Sequence, residues 1–86
     1  MKPIPIMEAA LARRLKSRGD LRLLGITVER HQSGGVELAS AGRRLGTWHW
    51  RAKEFVFEPE GGGRHITAHT ILGAVALTAS LLNGDD

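Results

Sequence analysis

Apolar residues recur along this chain with two spacings: about four apart near both ends and two apart through the middle. A spacing of four marks one face of a helix and a spacing of two marks one face of a strand. From Ile6 to Arg18, Met7, Leu11 and Leu15 form one stripe, with Ala9, Ala10 and Ala12 favouring helix. Pro5 or Ile6 is the expected start and Gly19 the expected C-terminal cap. Leu21 to Arg30 reads as a strand with Leu24, Ile26 and Val28 on one face. Gln32-Ser33-Gly34-Gly35 is a turn, Val36 to Ser40 a short strand, and Ala41-Gly42-Arg43-Arg44 a second turn.

All four aromatic residues fall within Leu45 to Pro59: Trp48, Trp50, Phe55 and Phe57. If the chain folds back over Arg51-Ala52-Lys53-Glu54, Trp50 lies opposite Phe55 and Trp48 opposite Phe57, so the four rings share one face. A single long strand would instead place the Trp and Phe pairs on opposite faces. Ala-Lys is weak turn chemistry, and a longer four-residue loop is the other form of the hairpin. A three-residue loop at Gly42 to Arg44 pairs Leu38 with Trp48 and Val36 with Trp50. A similar loop at Gln32 to Gly34 pairs Val28 with Leu38. In this register Leu24, Ile26, Val28, Val36, Leu38 and the four aromatics occupy one face, which a one-residue slip would scatter.

After the turn Glu58 to Gly63, Ile66 to Asn83 carries no charged residue. Thr67 or Thr70 can cap a helix there and Asn83-Gly84 can end it. Its expected inner stripe is Ile71, Leu72, Val75, Ala79 and Leu82, leaving Leu77 and Leu81, with Ala74 and Thr78, on the other side. Small polar residues dilute its hydropathy below that of a membrane span. The fold class expected is therefore α+β: one small domain over 1–86, helix, antiparallel meander of three to four strands, helix, with both helices on one face. Residues 1–5 read as an extended N-terminal tail and 84–86 as an acidic C-terminal tail.

Composition narrows the chemistry. Eighty-six residues suffice for one modest core. The absence of cysteine removes disulfides, Cys-ligated zinc and thiol catalysis. Met1 to Ile6 has no apolar stretch of a signal peptide, and a cytoplasmic location is the expectation. Twelve Lys and Arg against nine Asp and Glu leave a net charge of +3, suited to nucleic acid or an acidic protein surface, though also to solubility alone.

Four kinds of chemistry can be weighed on these residues. Arg43, Arg44, Arg51, Lys53 and Arg64 accompany the aromatic hairpin, a combination used by RNA and single-strand binders, but the rings face the core in this register. His65 and His69 stand four apart, the spacing of two metal ligands on a helix, with His31 or His49 as a third. His49 falls opposite Glu37, a pairing that is either acid–base or an ordinary cross-strand contact. The order helix, strands, helix resembles the double-stranded-RNA-binding domain, in which a Gly-rich turn and a lysine cluster open the second helix. Gly61-Gly62-Gly63 matches that turn, Arg64 and His65 replace the lysines, and no function is carried across.

The remaining reading is a non-enzymatic protein-interaction or regulatory module, with nucleic-acid binding as the alternative. Inhibitors and accessory proteins of phage or mobile-element type that dock on larger assemblies are also this small. No cofactor or metal is called for. The residues expected to meet a partner are the exposed cations Arg13, Arg14, Arg18, Arg43, Arg44 and Arg51 and the outer helix leucines Leu77 and Leu81. A homodimer through the last helix would bury its second apolar side.

Overall fold

A computed structural model describes residues 6–31 and 33–83; the two expected tails, 1–5 and 84–86, lie outside the described residues. The elements are α1 (Ile6–Lys16), α2 (Gly19–Leu23), β1 (Ile26–Arg30), β2 (Val36–Ser40), β3 (Arg43–Arg51), β4 (Glu54–Pro59), β5 (Ile66–Ala68) and α3 (Ile71–Asn83). The strands form one antiparallel meander in the order β1-β2-β3-β4-β5. The α+β expectation holds, with five strands in place of three to four.

The aromatic hairpin takes the expected register, Trp48 opposite Phe57 and Trp50 opposite Phe55. Arg51 pairs with Glu54, so the turn has only two residues, Ala52 and Lys53, both with positive φ (50° and 65°). The twist of a two-residue hairpin demands that conformation, and the packed rings hold it on residues that disfavour it. Trp48 and Phe55 are fully buried, with ring centroids 6.3 Å apart and nearly perpendicular. Burial of such rings stabilises the fold by about 2–3 kcal/mol each.

The β2–β3 register differs from the expected one. Ala41 and Gly42 make a two-residue turn, Ser40 pairs with Arg43, and a bulge at Leu45 then brings Leu38 opposite Gly46 and Val36 opposite Trp48. The displacement from the expected pairing is two residues, an even number, so every side chain keeps its face. Gly46 is what makes room: a Cβ there would lie 2.3 Å from Phe57 Cζ. The expected β1–β2 pairing, Val28 with Leu38, is present.

The region before β1 also departs from expectation. Gly19 opens the short helix α2 in place of ending α1, and the strand begins only at Ile26. Asp20 explains the difference. Its Oδ1 accepts the Leu21 N–H (3.0 Å) and its carboxylate accepts two hydrogen bonds from Arg18 (3.0 and 2.9 Å), fixing a helical turn. Gly25, at φ 77°, ends it. Leu21 is thereby buried from the helix, while Leu24 leaves the sheet face and is 44% exposed.

At the other end, Ile66–Ala68 pairs with β4 as a fifth strand, so the last helix begins at Ile71 rather than at Thr67. Thr70 is its cap, as one of the two expected threonines, its Oγ1 accepting the Gly73 N–H at 2.9 Å. Gly61-Gly62-Gly63 consequently precedes a strand and not a helix, which removes the feature that resembled an RNA-binding domain.

Each long helix is tied to the sheet by one buried polar group. Glu8, 4% exposed on the inner side of α1, accepts the Gly35 N–H on Oε1 (2.8 Å) and the Trp50 N–H on Oε2 (2.9 Å). The last β2–β3 pair is Val36 with Trp48, so these two N–H groups face the gap where the strands part, and the carboxylate fills it. On α3, the Thr78 hydroxyl accepts the Trp48 Nε1–H at 2.9 Å and donates to the Ala74 carbonyl at 2.7 Å. Among the described residues no buried side-chain polar atom lacks a partner.

Candidate functional sites, a cationic groove and an apolar cleft

The expected partner-binding cations do not form one patch. Arg18 is clipped to Asp20, whose hydrogen bonds and charge raise the guanidinium pKa further and hold it charged. Arg44 reaches Glu37 (2.6 Å) and Glu60 (3.9 Å), and Arg51 reaches Glu58 (3.3 Å). These three belong to exposed or part-exposed ion pairs, whose attraction solvent and salt screen.

Arg13, Arg14 and Arg43 are exposed, and no ion pair holds them among the described residues. Arg13 is the one that converges with other cations. With Lys16 from α1 and Arg30 from β1 it lines a groove of about 690 Å³, floored by Ala9 and Ala12 and flanked by Glu29. Neither Lys16 nor Arg30 is in an ion pair among the described residues either. Helix spacing explains the grouping: positions 9, 12, 13 and 16 lie on one side of α1. Arg30 has the same parity as Ile26 and Val28, on the helix side of the sheet. Sequence reasoning had included Arg13 but neither Lys16 nor Arg30 among the contact residues. The shared parity of Arg30 with the core positions of its strand was the available signal.

The outer side of α3 is partly as expected. Leu81 is exposed and Leu77 half-buried against the core. Ala74 and Thr78, however, are buried, and Leu72 is 68% exposed, a rotation of the expected stripe. The cause is the Thr78–Trp48 hydrogen bond, which needs position 78 facing the sheet. The exposed positions Leu72, Ala76, Ser80 and Leu81 carry no charge.

Leu81 also borders an open cleft of about 210 Å³ between the last turns of α3 and the β3–β4 end of the sheet. Leu82 and Thr78 line one wall, and Leu45, Phe57, Pro59 and Ile66 the other. The Thr78 hydroxyl is engaged by Trp48 and Ala74, and the lining is mostly hydrocarbon. The bulge that projects Leu45 and the fifth strand that places Ile66 both escaped the periodicity of the sequence.

The other candidates separate. Glu37 faces Thr47, not His49, and binds His31 (3.3 Å) and Arg44, because the two-residue displacement of β2 against β3 moves His49 out of reach. His49 stands opposite Val56. His65 and His69 flank β5 and share no helical face. Among the described residues no three His, Asp or Glu side chains group as a metal site. No helix among them is long and apolar enough to cross a membrane.

Compared with protein-family models, with curated proteins and with solved structures, the chain gives no match.

Proposed function

We propose that this chain is a non-enzymatic protein-interaction module that seats an apolar side chain of a protein partner in the cleft beside Leu81. One observation carries the reading: the charge-free outer side of α3 runs, through Leu81, into an open hydrocarbon-lined cleft. At about 210 Å³ the cleft is smaller than the roughly 300–1,000 Å³ of sites for small-molecule ligands. It suits a single anchor residue such as leucine or phenylalanine, the arrangement in which a few buried side chains supply most of the affinity of a protein contact. Leu81, exposed on its rim, extends the apolar contact area.

The test uses anchor mimics. N-acetyl-leucine amide and N-acetyl-phenylalanine amide are titrated while the methyl signals of Leu45, Ile66, Leu81 and Leu82 are followed by NMR. Saturable shifts confined to those methyls, at about millimolar affinity, support the reading, and Leu81→Glu abolishes them. Shifts that do not saturate, or that spread over the whole surface, sink it. Light scattering across a concentration series shows whether a second copy is the partner: a dimer that Leu81→Glu dissociates identifies it as such.

A further inference from the structure

The groove between α1 and β1 is a second surface, independent of the cleft. Three features coincide there. Arg13, Lys16 and Arg30 converge with no acid paired to them among the described residues. Beside them runs β1, one of the two edge strands, whose outer edge pairs with no other strand and takes part in no other backbone hydrogen bond among the described residues. The groove floor is Ala9 and Ala12, which leaves space above the strand edge for another chain.

We propose that this groove receives an acidic peptide segment that adds to the free edge of β1 as a strand, setting its carboxylates against Arg13, Lys16 and Arg30. An added strand pairs its N–H and C=O groups with the open edge, and its alternate side chains point to the helix side of the sheet. Arg30 lies on that side by parity, and Arg13 and Lys16 descend to it from α1. Acids at every second position therefore meet the cations, while the intervening side chains point to the opposite face with Thr27 and Glu29.

The groove favours a peptide over a nucleic acid on two counts. Single-stranded nucleic acid binding relies on exposed rings for stacking, and here Trp48, Phe55 and Phe57 are buried. Glu29 in the groove wall repels a dense row of phosphates, whereas a strand with spaced carboxylates avoids it. The exposed Glu29 and Arg30 also guard the β1 edge against uncontrolled pairing, and a segment that sets its carboxylates on the Arg30 side meets the cation and not the acid.

The experiment is fluorescence anisotropy with a labelled alternating Glu-Thr peptide of about eight residues, longer than β1 by a residue or two at each end. It is run against a block peptide of the same composition, an alternating peptide with N-methylated backbone amides, and mixed-sequence duplex and single-stranded DNA and RNA. The alternating peptide is expected to bind at about 50 mM salt and to weaken by 200 mM, and to bind about tenfold tighter than the block and N-methylated forms. Arg13→Glu with Lys16→Glu, both at exposed positions, should lose that binding about tenfold or more while circular dichroism and the melting profile stay unchanged. No binding at low salt overturns the proposal. Equal binding by the block or N-methylated peptide overturns strand addition, and tighter binding of an oligonucleotide overturns the peptide.

Discussion

The two long helices are held to the same sheet by different chemistry. Under α1 the tie is a carboxylate, Glu8, accepting two backbone N–H groups from Gly35 and Trp50. Under α3 it is a hydroxyl, Thr78, accepting one side-chain N–H from Trp48. A buried carboxylate is costly unless its hydrogen bonds are complete, so the α1 seam, which also packs Leu11, Ala12 and Leu15, adds a polar condition at the parting of β2 and β3. A hydroxyl that already bonds to its own helix at Ala74 loses less, and the α3 seam rests mainly on packing of Ala74, Val75 and Ala79. The outer sides differ in the same sense: Arg13 and Lys16 on α1, leucine, alanine and serine on α3. Both seams pack apolar side chains, and they differ in that the α1 seam must also satisfy a buried charge.

The strongest way to break that contrast is Glu8→Ala. It strands one buried and one part-buried N–H group and should cost about 2–4 kcal/mol in chemical denaturation, enough to threaten folding of an 86-residue domain. Glu8→Gln keeps one acceptor and should fall between. If Glu8→Ala costs under about 1 kcal/mol, the carboxylate is not the tie. Gly46→Ala tests close packing within the sheet itself, apart from either helix tie, since its Cβ meets the Phe57 ring and the Glu58 carbonyl; a loss of about 2–3 kcal/mol is expected. Thr78→Val leaves the Trp48 N–H unpaired and should cost about 1–2 kcal/mol, less than Glu8→Ala, with a changed Trp fluorescence. A Thr78 effect larger than that of Glu8 would reverse the comparison.

The smallest expected effects are at the surface. Leu81→Glu should change stability by under about 0.5 kcal/mol while abolishing the methyl shifts produced by anchor mimics; global unfolding would instead make Leu81 part of the core. Lys53→Gly relaxes a positive-φ residue in the β3–β4 turn and should raise stability by about 0.5 kcal/mol in thermal melts. That gain should be independent of the Thr78–Trp48 tie, whereas the Glu8–Trp50 bond lies two residues from the turn and is the one placed to couple to it.

Much of this molecule was legible from residue order because burial imposes a period. An odd slip of the hairpin would put the Trp and Phe pairs on opposite faces, and an in-phase register, Trp48 opposite Phe57, forms. Leu11 and Leu15 lie where the helix stripe puts them. The candidate sites were far less legible. Arg18, Arg44 and Arg51 read as free cations, yet each finds an acid that alignment of the strands or a local turn supplies. The cleft depends on Leu45 and Ile66, one placed by a bulge and the other by a three-residue strand too short to show a pattern.

The sequence by itself determined the helix–meander–helix order and the apolar face of the sheet, because local periodicity and burial are read one element at a time. Only the tertiary structure decided where Glu8 goes. Position 8 falls beside the apolar stripe of α1, and nothing local shows that two unpaired N–H groups, 27 and 42 residues away, await a carboxylate there. The bulge at Leu45, the rotation of α3 about Thr78 and the gathering of Arg13, Lys16 and Arg30 are of the same kind. Each is set by groups distant in sequence whose relative positions exist only once the sheet has closed against the helices.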